Sequence, residues 1–208
     1  MMSLFLFLIF VIVAASLWFH GLWGAGVSLI NILLAALVAT NFYEPICTAL
    51  EGVGAGSFTY LLDFVVLWFL FGFTYVILRL FCDIYSKTRI KFEMPIEMAG
   101  RTIFAVWAAW LFTCFTAFSM HMAPLNSENP MGAWTSPNSG AFFNADRLWL
   151  RFAQSRSRGA LARAPSDGAP VYPGDEEVQA FDPFSTFPLR YHERRKKYAE
   201  AAMMRVAE

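Results

Sequence analysis

The chain opens on an unbroken apolar stretch: none of the 43 residues from Met1 to Tyr43 is Asp, Glu, Lys or Arg. As one straight helix at ~1.5 Å per residue it would run to about 65 Å, more than twice the ~30 Å hydrocarbon core of a bilayer. It must fold back. The break falls between Phe19 and Gly26, where Gly21, Gly24 and Gly26 loosen a helix and Trp18 and Trp23 suit the membrane–water boundary. The pattern predicts a helical hairpin with spans over about 3–18 and 24–43. Glu44-Pro45 is expected to end the second helix, because the proline ring cannot continue it and restrains the residue before it.

A third span is predicted over about 58–83, since no charge lies between Asp63 and Arg79, and a fourth over about 101–123, closed by Pro124. A helix apolar on every face is buried in lipid or in a large core, and a 208-residue chain with four such stretches cannot hide them all from solvent. Lipid is the implied surrounding. Arg79, Asp83 and Lys87, at i, i+4 and i+8, form a charge ladder that carries the third helix out of the membrane. Pro95 suits the first turn of the next helix, and Glu97 to Arg101 is an i, i+4 pair in the favourable order.

After Pro124 the pattern changes to a connector rich in Pro, Gly, Ser and Asn. A short amphipathic helix is predicted over 145–163, with Leu148, Trp149 and Phe152 close together among Arg147, Arg151, Arg156, Arg158 and Arg163. It suits either a membrane surface or the end of the bundle. Residues 165–188 are turn-rich and predict little regular structure. Residues 190–206 form a charged helical candidate whose Arg194-Arg195-Lys196-Lys197 cluster reads as a solvated face. The expected fold is all-α and polytopic. Residues 1–123 form a transmembrane four-helix domain, and residues 124–208 a hydrophilic, partly disordered tail.

Composition agrees: 57% of residues are hydrophobic and 15% charged, against about 25% charged in soluble domains. The 16 basic and 16 acidic residues cancel, so no global basic excess points to nucleic acid. Cys47, Cys82 and Cys114 are an odd number without a C-x-x-C pair, and read as buried packing residues. Gly52 to Gly56 lacks the Lys and Ser or Thr of a phosphate loop. His20, His121 and His192 are too scattered to gather a metal, and no G-x-S-x-G or H-E-x-x-H occurs. No catalytic residue, cofactor, metal or small-molecule substrate is expected. A cleavable signal is not expected either, because the residues before Leu4 carry no Lys or Arg despite the small Ala14-Ala15-Ser16 run.

The polar exceptions are the candidate sites. Glu44, Asp63 and His121 all fall toward one end of the bundle and form a candidate cation or proton site, the alternative being that Asp63 is simply hydrated at the interface. Gly21, Gly24 and Gly100 are candidate packing positions, and Asn31 a candidate interhelical hydrogen-bonding residue. Five basic residues, Arg79, Lys87, Arg89, Lys91 and Arg101, lie between spans three and four, and the other 11 of the 16 follow span four. Short loops dominate the positive-inside rule, so the loop around Lys87 and the Gly21 turn are expected in the cytoplasm and both termini outside.

A first apolar span, a Gly21-x-x-Gly24 turn, a small-residue second span, a third span ending in charge, a short basic loop and a fourth helix opening at Gly100-Arg101 resemble the colicin V production (CvpA) family of bacterial inner-membrane proteins. The resemblance covers residues 1–122. It implies a multi-pass, four-span protein of the bacterial cytoplasmic membrane with no established enzymatic activity. Such a protein is an accessory or scaffold in peptide toxin production, secretion or envelope function. Its partners would be the lipid bilayer and other membrane proteins or further copies of itself. The alternative is a subunit of a small transporter or channel with a polar site near Asp63.

Overall fold

The computed structural model describes residues 1–52, 59–85, 93–123, 140, 142–157, 181–182 and 185–206. Among the described residues the chain is all-α, with six helices and no strand: α1 Met2–Trp18, α2 Gly21–Gly52, α3 Thr59–Tyr85, α4 Met94–Ser119, α5 Ala145–Ser157 and α6 Phe187–Val206. Helices α2, α3 and α4 are long and apolar enough to cross a membrane. α1 is apolar throughout but has 17 residues, the lower end of the ~17–25 that a crossing takes. Residues 53–58, the loop around Lys87, and most of the connector and acidic stretch of the tail lie outside the described residues.

α2 and α4 form the centre, with α3 against α2 and α1 against α4. Small side chains permit this: Ala35, Ala36 and Ala39 of α2 and Ala105, Ala108 and Ala109 of α4 are all fully buried. In lipid, helices associate through close backbone approach rather than water exclusion, so such positions set the helix spacing. Between α3 and α4 the filling is aromatic. Phe71 stacks on Phe115 with ring centroids 4.8 Å apart, and Trp68 meets Phe115 edge-on at 5.6 Å. The outside stays greasy, with Phe69, Phe73, Ile77 and Leu80 of α3 and Trp107 of α4 exposed.

The hairpin expectation needs two corrections. α1 packs chiefly along α4 and only lightly on α2, and α2 begins at Gly21 rather than Gly24. The turn is therefore Phe19-His20, made possible by Gly21 at φ +76°, a left-handed conformation that costs other residues about 1 kcal/mol or more. Glu97 Oε1 of α4 accepts the Leu22 amide at 3.1 Å and fixes this start from outside. A side chain at Gly100 would meet Leu22 Cδ1 at 2.5 Å, and one at Gly24 would meet His20 Cβ at 2.9 Å. Nearby, Arg101 lies 3.8 Å over the Trp18 ring, and the Trp18 indole donates to Thr102 Oγ1 at 3.2 Å.

Glu44-Pro45 does not end α2, which runs on to Gly52 with Pro45 inside it. An internal proline costs about 3 kcal/mol. Tyr43 and Cys47, on either side of Pro45, are 1% and 5% exposed in the main core, and that shared burial holds the helix together through the proline.

The tail is the larger correction. α6 starts at Phe187, inside the stretch expected to lack regular structure, because Asp182 caps it. One carboxylate oxygen accepts the Thr186 amide (2.8 Å) and the other the Phe187 amide (3.0 Å). α5 is described to Ser157, residues 158–163 of the predicted helix lying outside the described residues. It lies across the bundle end, with Trp149 buried against Phe115. Phe181, Phe187 and Tyr191 join the same core as α2, α3 and α4, so the hydrophilic tail supplies part of the bundle's interior.

Ala35 is fully buried against the helix seam, so Ala35→Leu is expected to cost about 1–3 kcal/mol of bundle stability. Val65→Leu, on the exposed face of α3, should stay within about 0.5 kcal/mol of the parent. Loss of helicity in mixed micelles titrated with SDS measures both.

Candidate functional site

The described polar side chains concentrate at the two ends of the bundle, and the end covered by α5 and α6 holds the acids singled out in the sequence. Glu44 follows the buried Tyr43 on α2, and Asp63 sits in the first turns of α3. Glu44 Oε1 accepts from the Tyr43 hydroxyl at 3.1 Å and from Arg190 Nη2 at 3.0 Å. Asp63 Oδ2 accepts from the Tyr191 hydroxyl at 2.8 Å and from Arg194 Nη1 at 2.5 Å. Arg190 and Arg194 are one helical turn apart on α6, so a single helix face brings a cation to each carboxylate.

His121 stands in a separate cluster. Its Nε2 lies 2.9 Å from Asp146 Oδ2 of α5, the two side chains being 2% and 0% exposed, and Arg195 Nη1 of α6 donates to the His121 carbonyl at 3.1 Å. Beside it the Trp149 indole donates to Thr40 Oγ1 at 3.1 Å, and Thr40 in turn donates to the Ala36 carbonyl at 2.7 Å. The expected trio is thus divided. Glu44 and Asp63 share one ladder of charges on α6, while His121 pairs with Asp146.

The docked helix is tuned by its surroundings. Burial, reinforced by the Asp63 carboxylate, pushes the Tyr191 hydroxyl well above its ordinary 10.0, so it stays protonated and donates. Burial is the largest single influence on Arg190 and would lower it, but the Glu44 carboxylate together with Tyr43 and Tyr191 outweighs it and holds the guanidinium above its ordinary range. Arg195, buried with a carbonyl as its acceptor, is lowered by desolvation.

At the opposite end Gly21, Gly24 and Gly100 lie around the turn already described. Asn31 is 2% exposed on α2, and its Oδ1 faces Cys82 Sγ of α3 at 3.8 Å. Arg79 of α3 pairs with Asp83 at 3.3 Å and reaches Ser28 Oγ of α2 at 3.4 Å. Among the described residues no group of three or more His, Cys, Asp or Glu side chains could hold a metal ion. Chemically, both ends do the same work: they satisfy charge where an apolar bundle meets water.

Sequence reasoning missed Asp146, Arg190, Tyr191 and Arg195 as members of this site. The available signal was the Phe187 and Tyr191 pair at i, i+4, with Arg190 and Arg194 beside it, a stripe that cannot all face water. The Arg194–Lys197 cluster divides accordingly. Arg194 and Arg195 turn to the bundle, and Lys196 and Lys197 are exposed.

Asp63→Asn removes the acceptor charge of a largely buried pair and is expected to weaken docking of α6 by about 2 kcal/mol. Glu44→Gln faces a half-exposed arginine and should cost under about 1 kcal/mol. Limited proteolysis of the tail in detergent reads the difference as a faster cut in Asp63→Asn. Because folding raises the Tyr191 pKa, its contribution is complete below about pH 10 and is lost as pH rises beyond that. Tyr191→Phe should remove that alkaline step.

No family model, curated protein or solved structure matches this chain.

Proposed function

We propose that the chain is a non-enzymatic integral membrane protein, an accessory or scaffold subunit that works through its contacts with lipid and other membrane proteins. The observation that carries the reading is how the charge at the bundle end is used. Glu44 and Asp63 are each neutralised by an arginine of the same chain, and His121 is packed against Asp146, which leaves these groups engaged in holding the molecule together. The apolar face of α3, with Phe69 and Phe73 67% and 56% exposed, is a surface open to lipid or to a partner helix. The likeness to CvpA proteins extends the proposal to a bacterial cytoplasmic membrane and to envelope, secretion or peptide toxin processes. In this reading all four apolar helices cross, with the termini outside and the residues around Lys87 in the cytoplasm.

Photo-crosslinkers at Phe69 and Phe73 in intact membranes are expected to give a discrete adduct with a different membrane protein. Purified protein in vesicles is expected to pass no ions. Adducts with a second copy only, together with a cation flux that Asp63→Asn abolishes, would replace this reading with the transporter or channel subunit.

A further inference from the structure

A cavity of about 480 Å³ opens between α5 and the start of α6, within the range of small-ligand sites. Arg147 and Arg151, one turn apart on α5, stand in its wall with Asn144, Gln154 and Ser185. The acid in that wall is Asp182, and its carboxylate oxygens are already engaged in capping α6. Gln154 closes the floor by donating to the Asp182 carbonyl at 2.7 Å. Arg147 Nε lies 3.9 Å from the buried Asp146 Oδ2, so its guanidinium is shared with that carboxylate, while Arg151 is exposed. The charge facing the cavity is cationic, in guanidinium groups suited to phosphate oxygens.

The backbone singles out the same place. Among the described residues, the non-glycine residues with positive φ are Phe142 (40°), Phe143 (54°), Asn144 (58°), Asp182 (45°) and Ser185 (54°). Four of the five line this cavity and Phe142 adjoins it. Each left-handed residue costs of order 1 kcal/mol, and such strain gathers where a fold holds a ligand.

The cavity also adjoins the apolar outer side of the bundle. Phe142 pairs with Phe7 of α1 (6.4 Å) and Trp110 of α4 (5.9 Å), so the residues just before α5 rest on the lipid-facing bundle wall. Phe143 at its mouth is 81% exposed, Leu148 on its rim 47% exposed, and Phe7 on the wall below 50% exposed. Phosphate chemistry above and a continuous apolar path below describe one class of ligand.

We propose that this cavity binds the phosphate of an anionic phospholipid, with Arg147 and Arg151 on the headgroup and Phe143, Leu148 and Phe7 along the acyl chains. The proposal needs the bundle to be in a membrane but not the accessory role, so the two stand or fall on different measurements.

Full-length protein is titrated with phosphatidylglycerol or phosphatidylcholine in detergent, and bound lipid is counted by native mass spectrometry. Phosphatidylglycerol is expected to bind at least about tenfold more tightly. Arg151→Gln is expected to lower that affinity about tenfold, and Arg147→Gln with Arg151→Gln to abolish the preference. Arg156→Gln, on the same helix but outside the cavity, should leave it unchanged. The exposed Arg151 tests the site without touching the core, and unaltered helicity confirms that each variant is folded. Equal binding of the two lipids, or a Arg151→Gln protein that binds like the parent, would overturn the site. Displacement of the lipid by millimolar inorganic phosphate would overturn its assignment to a membrane lipid in favour of a soluble phosphate.

Discussion

A carboxylate at the rim of an apolar helix bundle has little water to solvate it and needs a counter-charge from the protein. Two such groups, Glu44 and Asp63, stand at one end of this bundle, and α6 answers both with arginines one turn apart. Much of the tail follows from that. For the arginines to reach the acids, Phe187 and Tyr191 of the same helix must go into the core, and the Asp182 cap must fix where the helix begins. The electrostatic contact and the aromatic packing enforce each other, since neither face of α6 can be satisfied without the other.

The bundle sorts its polar groups by depth. The middle is held by alanines and stacked aromatic rings, which need no solvent. At the turn end, the Glu97 carboxylate meets the Leu22 amide, Arg101 lies on Trp18, and Arg79 pairs with Asp83. These are contacts between near neighbours in space on α1, α2, α3 and α4 themselves. The other end instead recruits α5 and α6 from far along the chain. Among the described residues, the turn end is satisfied within α1 to α4 and the other end by α5 and α6.

The four apolar helices were legible because lipid-facing segments advertise themselves by composition alone, with no need to know what packs against what. Gly21 was legible as a turn because few other residues tolerate its backbone. The persistence of α2 through Pro45 was not, because the local rule against proline was outweighed by the burial of Tyr43 and Cys47, which depends on α3 and the tail being present. The docking of α6 was hidden for a similar reason. Arg194 and Arg195 read as a hydrated cluster until Asp63 and the His121 carbonyl are placed opposite them. Pairs separated by 131 and 74 residues leave no periodicity in a single sequence. Glu44, Asp63 and His121 stood out in the sequence as polar exceptions, but the residues that meet them lay beyond any local pattern.

The order in which the chain is made gives the α6 contact a temporal meaning. Asp63 and Arg194 are separated by 131 residues, so at ~5–20 residues per second a ribosome reaches the arginine about 7–26 s after the acid. Throughout that interval the nascent bundle carries its acids without their eventual counter-ions, and protonation, lipid headgroups or an insertion factor must shield them. The pairing of these acids therefore waits on translation of α6, and a chain cut short before Arg190 would leave Glu44 and Asp63 without those arginines.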